Sequence, residues 1–137
     1  MENNFVSASR LIRALNNGEF EPYLQPIVSA SDLTIFGAEL LVRWHMPAGE
    51  IISPAYFINR VESAGLLLPL TEKILNRAVA GLSEVKAMLP CGFRLAVNVT
   101  PALLAERKFT HMCLALAEHD NIHLILELTE QQPFNMD

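Results

Sequence analysis

A short link carrying the turn cluster Ser29-Ala30-Ser31-Asp32 separates two strand-like runs, Tyr23 to Val28 and Thr34 to Trp44, and it limits the fold more than any other feature. A parallel crossover needs about a dozen residues or more, so the two runs must pair antiparallel. After Trp44 the pattern changes. Ser53-Pro54 is a helix start, a cap residue followed by Pro at the first helical position, and the helix through Phe57, Ile58 and Val61 should end at Gly65. Thr71 opens the longest predicted helix, with Ile74, Leu75, Ala78, Val79, Leu82 and Val85 inward and Pro90 as its stop. Arg94 to Val99 reads as a buried strand, Thr100-Pro101 as another helix start, Phe109 to Glu118 as a helix, and His123 to Leu128 as a fourth strand. Upstream, Ser7 or Ser9 can cap a short helix carrying Leu11, Ile12 and Leu15, with Gly18 just past its end. Strand, helices, strand, helix, strand after an antiparallel start is the order of an α/β fold with parallel neighbours.

Composition narrows the class. A chain of 137 residues, 51% hydrophobic and 18% charged, has room for one globular domain with its own core. No apolar run reaches the roughly 18 residues of a membrane span. Met1-Glu2-Asn3-Asn4 lacks the basic and apolar stretches of a secretory leader, so a cytoplasmic segment without membrane contact is expected. A net charge of -5 argues against a nucleic-acid polymer as partner, though not against a small anion held by a few cations. Cys91 and Cys113 form no CxxC pair and are expected to be buried, reduced thiols. His45, His111, His119 and His123 show no metal-ligand spacing and are expected in surface or capping roles, while Trp44 and Phe57 are expected in the core.

Polar groups interrupt strands that otherwise look buried on both faces. Side chains alternate along a strand, so Gly37, Glu39, Leu41 and Arg43 share one face while Ala38, Leu40, Val42 and Trp44 share the other. The next strand offers Asn98, on the face of Ala96 and Thr100, and the last offers Glu127, on the face of Ile125 and Thr129. A buried carboxylate needs a cation or a metal beside it. Two readings follow. In one, Glu39 pairs with Arg43 as a structural salt bridge and Asn98 caps the helix behind it. In the other, Arg43, Asn98 and Glu127, at or near the C-terminal ends of their strands, lie where α/β sheets and barrels place ligand-binding groups. Two carboxylates and an amide oxygen converging there suit Mg²⁺ or Mn²⁺, not zinc.

At these residues the sequence resembles the EAL family of bacterial cyclic-di-GMP phosphodiesterases. The family's signature strand, G-x-E-A-L-x-R-W, stands here as Gly37-Ala38-Glu39-Leu40-Leu41-Val42-Arg43-Trp44, with Leu40 replacing the alanine. Tyr23-Leu24-Gln25-Pro26-Ile27 is similar to its Y-x-Q-P-I segment, Ile52 to Ile58 to I-x-P-x-x-F-I, and Glu62 to Gly65 to E-x-x-G. Asn98-Val99-Thr100-Pro101 is similar to N-V-S-P, and Glu127-Leu128-Thr129-Glu130 to E-x-T-E. The resemblance implies a TIM-like (β/α) barrel, its first strand antiparallel, of which about four strands are present. It implies metal-assisted hydrolysis of cyclic-di-GMP to pGpG with Mg²⁺ or Mn²⁺. By the same resemblance Glu39, Asn98 and Glu127 match metal ligands, Gln25, Leu41 and Arg43 match contacts to the dinucleotide (Arg43 through a phosphate), and Glu130 matches a residue that positions a metal-site loop.

The family's later blocks, a D-D-F-G loop, a lysine on the next strand, a further glutamate and a late glutamine, have no counterpart after Glu130. A full barrel of this type needs about 250 residues. Residues 1–137 are therefore expected to be the first half of an EAL domain, inactive alone, with an open edge after the fourth strand that favours self-association and leaves Leu41, Val97 and Ile125 exposed. The alternative is a non-catalytic EAL relative that binds cyclic-di-GMP or another protein.

Overall fold

In the computed structural model, which describes residues 6–118 and 122–129, the link at 29–34 closes an antiparallel hairpin, as its length requires. Its strands are β1 (Phe20–Val28) and β2 (Ile35–His45). The chain then runs through β3 (Ile51–Ile52), a 3₁₀ turn at Pro54–Tyr56, α2 (Ile58–Ser63), α3 (Leu67–Glu84), β4 (Phe93–Val99), α4 (Pro101–Leu104), α5 (Arg107–Ala117) and β5 (Ile122–Leu128), with α1 (Ala8–Asn16) preceding the hairpin. The strand order is β1-β2-β4-β5, with the two-residue β3 paired onto β2. β2, β4 and β5 are parallel. Among the described residues the sheet does not close: β1 and β5 are its edges. This is the expected open α/β arrangement of an incomplete TIM-like barrel with an antiparallel first strand.

Local chemistry explains most boundaries. Ser7, not Ser9, caps α1: its hydroxyl accepts the Arg10 N–H at 3.1 Å. Thr100 caps α4 by accepting the Leu103 N–H at 3.2 Å, with Pro101 at the first helical position. Gly65 takes a positive φ of 75° just beyond α2. Several expectations need correction. Ser53-Pro54 starts a 3₁₀ turn, and the α-helix begins only at Ile58. α3 begins at Leu67 and not Thr71, because Pro69 falls in its first turn, where an N–H has no intrahelical partner to lose. It ends at Glu84, ahead of Pro90, and Val85, one residue past it, is exposed. Ile12 is also exposed, and of the two free cysteines only Cys113 is buried. Burial alone pushes the Cys113 thiol up to about 11, so it stays protonated and inert at neutral pH.

The helices cover one face of the sheet. Ala38, Leu40, Val42 and Trp44 of β2 and Phe93, Leu95, Val97 and Val99 of β4 meet Leu70, Ile74 and Leu75 of α3 in one core. The alternation read from β2 therefore holds, but the exposure expected on the opposite face does not hold throughout. Val97 is fully buried on the helix side, Leu41 is buried, and Ile125 is half-buried. The small residues Ala96 and Gly37 occupy that opposite face, and β2 and β4 approach so closely at Gly37 that a Cβ there would lie 2.5 Å from Arg94 O.

Inside α3 the Thr71 hydroxyl is buried with no hydrogen-bond partner among the described residues. Thr71→Val removes that cost at nearly constant volume and should stabilise the chain by about 1 kcal/mol. A higher urea midpoint at unchanged m-value checks it; a lower midpoint contradicts it.

Candidate functional site

Strand register assembles the polar groups. Parallel pairing sets Glu39 against Ala96, and Asn98, two residues on, against Glu127. Antiparallel pairing sets Gln25 against Glu39, Tyr23 against Leu41 and Glu21 against Arg43. Paired residues project to the same side of a sheet. Gln25, Glu39, Leu41, Arg43, Asn98 and Glu127 therefore share the face turned away from the helices. Glu130 lies outside the described residues.

Within this face the structure joins Glu39 and Asn98 directly. Asn98 Nδ2 donates to Glu39 Oε2 at 3.0 Å, both side chains half-buried. Asn98 thus does not cap the following helix; Thr100 does. Glu127 is in register beside Asn98 but exposed, as is Gln25. Arg43 is half-buried, its Nη1 donating to Val42 O at 2.8 Å and its guanidinium lying 5.8 Å from the Tyr23 ring centroid.

The donor set fits a hard divalent cation in part. Two oxygens bound to one Mg²⁺ at about 2.1 Å and right angles lie about 3 Å apart, the separation found between the Glu39 carboxylate and the Asn98 amide. A half-turn of the amide replaces Nδ2 by Oδ1, and a cation favours that orientation. Among the described residues no cluster of three or more His, Cys, Asp or Glu side chains forms. The face therefore supplies two carboxylates and an amide, and not a closed metal cage.

Sequence reasoning missed two constellations beside it. On the same face, Tyr23 Oη meets His45 Nε2 at 2.8 Å, and His45 Nδ1 lies 3.7 Å from Glu21 Oε2. Neither spacing nor motif links these residues; only the hairpin register does. On the other side of β2, Glu19 is 8% exposed and accepts hydrogen bonds from Trp44 Nε1 at 2.9 Å, Arg10 Nη2 at 2.9 Å and Asn17 Nδ2 at 3.4 Å. Burial pushes its pKa up, but the bonds from Trp44, Arg10 and Asn17 and the charge of Arg10 outweigh burial and hold it below the ordinary glutamate value. The latch ties α1 to the end of β2, one residue past Arg43.

A family model described as EAL domain matches residues 8–137. The cyclic di-GMP phosphodiesterase PdeL of Escherichia coli K12 is 36% identical over 133 residues, which cover 95% of this chain and 37% of PdeL. The solved structure of the EAL enzyme Bd1971, in its cAMP and cyclic-di-GMP bound form, superposes with a TM-score of 0.76 at 29% identity, covering 90% of this chain and 36% of that one. YkuI of Bacillus subtilis, solved with its substrate c-di-GMP and calcium, shares the fold with a TM-score of 0.70 at 22% identity, over 97% of this chain and 33% of its own. The chain thus spans about a third of the length of each of these relatives.

Proposed function

Since the chain belongs to the EAL domain family, we propose that the face carrying Glu39 and Arg43 binds cyclic-di-GMP, and that the protein in which it works hydrolyses this dinucleotide to pGpG with Mg²⁺ or Mn²⁺. The observation that carries the reading is the Glu39–Asn98 contact at 3.0 Å, with Glu127 in register on the same face. Glu39, Asn98 and Glu127 would hold the cation, two charges and one neutral oxygen balancing it without filling its coordination shell. A bound cation of this kind activates water and offsets charge developing on a phosphate.

The chain's own residues then divide the work of binding. Arg43, with a planar fork suited to paired phosphate oxygens, would take a phosphate of the dinucleotide. Gln25, exposed beside Glu39, offers its amide to the ligand, and Leu41, 8% exposed between Glu39 and Arg43, would meet it only along its edge. Glu130 would position a loop at the metal. Residues 1–137 correspond in this reading to the first half of the catalytic domain. By themselves they would bind the dinucleotide without turning it over, because two carboxylates and an amide would leave the cation's coordination shell unfilled. Incubation of the 137-residue chain with cyclic-di-GMP and Mn²⁺ should give saturable binding, abolished in Arg43→Ala, and no pGpG. Turnover at ordinary enzyme rates would overturn the inactivity, and absence of binding would overturn the assignment of the face.

Self-association through β5 belongs to the same proposal. The His45 N–H donates to Glu19 O at 2.7 Å, which puts the odd-numbered residues of β1 in the ladder with β2 and turns Pro22 and Pro26 outward. With no N–H at either proline, that edge is blunted, whereas β5 contains no proline and leaves Leu128 63% exposed. Light scattering of the 137-residue chain should give a dimer or larger; a stable monomer at high concentration would contradict it. A cytoplasmic setting is in keeping with this chemistry, and among the described residues no helix is long and apolar enough to cross a membrane.

A further inference from the structure

We propose that Tyr23 is a positioning residue for Arg43, held in place by His45 and Glu21, a proposal that rests on the reading of Arg43 as the phosphate contact. Tyr23 stands opposite Leu41, so Arg43 is its diagonal neighbour and His45 lies two residues further along β2. The phenol reaches past Arg43 to bond His45 Nε2 at 2.8 Å, and its ring therefore lies along the strand beneath the guanidinium, 5.8 Å from centroid to Cζ. That distance lies within cation–π range.

The two ring nitrogens of His45 face different partners: Nε2 meets the Tyr23 hydroxyl at 2.8 Å, and Nδ1 faces the Glu21 carboxylate at 3.7 Å. The Tyr23 and His45 rings stand 5.6 Å apart at 52°, which fixes the tilt of the phenol. Arg43 is held at a second point by the Val42 carbonyl.

These contacts add little to the core, which lies on the opposite face of β2. Tyr23 is 37% exposed, and the His45 and Glu21 side chains 31% and 39%. Partly exposed polar contacts of this kind contribute weakly to folding. Their consequence is local: they order a long, flexible guanidinium before a ligand arrives, which removes part of the cost of ordering it on binding. His45 thereby acquires a role that its sequence context does not indicate.

The test uses the 137-residue chain with Tyr23→Leu, Tyr23→Phe and His45→Ala. The ¹⁵N signals of the Arg43 guanidinium report its ordering, and equilibrium dialysis with cyclic-di-GMP and Mn²⁺ reports affinity. Tyr23→Leu should average the Arg43 signals and weaken binding roughly three- to tenfold, with the urea midpoint unchanged. Tyr23→Phe, which keeps the ring but loses the tether to His45, should fall between Tyr23→Leu and the parent, as should His45→Ala. Unchanged Arg43 signals or unchanged affinity in Tyr23→Leu would overturn the positioning role. If the parent chain binds no cyclic-di-GMP, the ligand assignment fails, while the guanidinium signals still decide whether Tyr23 orients Arg43.

Discussion

Gly37→Ala should cost the chain about 3 kcal/mol and distort the site face together with the part of the sheet that carries it. Gly37 pairs with Arg94 where β2 meets β4, and the described register between these strands comprises three pairs, Gly37 with Arg94, Ala38 with Leu95 and Glu39 with Ala96. A Cβ at Gly37 would meet Arg94 O at 2.5 Å and Arg94 Cβ at 3.0 Å. The obstacle is backbone, which cannot swing aside as a side-chain tip can. The strands must separate, weakening the ladder bonds next to Glu39 and pulling Glu39 from Asn98. A domain of this size has roughly 5–15 kcal/mol in total, so the loss should lower the urea midpoint sharply and weaken Mn²⁺ binding in the same variant. An unchanged midpoint would show that the close approach is not what holds β2 against β4.

Glu19→Ala should destabilise the chain by roughly 2–4 kcal/mol, because it leaves the buried Trp44 N–H without an acceptor and Arg10 without its ion pair. The Trp44 ring cannot readily turn to find another partner. It sits 5.2 Å from Phe20 and 5.7 Å from Phe57, with the Arg10 guanidinium 5.2 Å from its centroid. The effect carries a pH signature. The folded pKa of Glu19 lies below the ordinary glutamate value of 4.5, so its stabilisation is fully present above that value and is lost as the pH falls through the folded pKa. The gap in stability between the parent and Glu19→Gln should therefore be constant near neutrality and narrow below about pH 4.5. Denaturation midpoints measured across that range check it; a gap that widens in acid would contradict the assignment.

The β2 strand shows both what the sequence reveals and where it stops. Alternation alone separates Glu39 and Arg43 from the core residues Leu40 and Trp44, and the structure agrees residue by residue. The same rule, applied strictly to β4, puts Val97 on the helix side once Asn98 is on the other; expecting Val97 at the open face contradicted the alternation, and the structure buries it. Asn98 was legible as a polar residue at a strand end, but its partner was not. Pairing of Asn98 with Glu39 depends on the register of β2 against β4, which is set by close packing at Gly37 and has no local signal. Glu19 was invisible for a similar reason. It lies between α1 and β1, and its donors come from α1 and from Trp44, 25 residues later. Pro69 sits in the first turn of α3, where a proline costs no intrahelical bond, so the helix starts four residues ahead of Thr71. Cys91 was expected to be buried from the habits of its residue type, yet it lies exposed in the turn that ends at Gly92.

In the proposed function Glu39, Asn98 and Glu127 form one cation-binding face beside Arg43. Electron paramagnetic resonance of Mn²⁺, which distinguishes free from bound ion, tests it most directly when the 137-residue chain is titrated in the presence of cyclic-di-GMP. Saturable binding is predicted, weakened roughly tenfold or more in each of Glu39→Gln, Asn98→Ala and Glu127→Gln, while Thr71→Val binds as the parent does. Equal Mn²⁺ affinity in the parent and in Glu39→Gln would contradict the account.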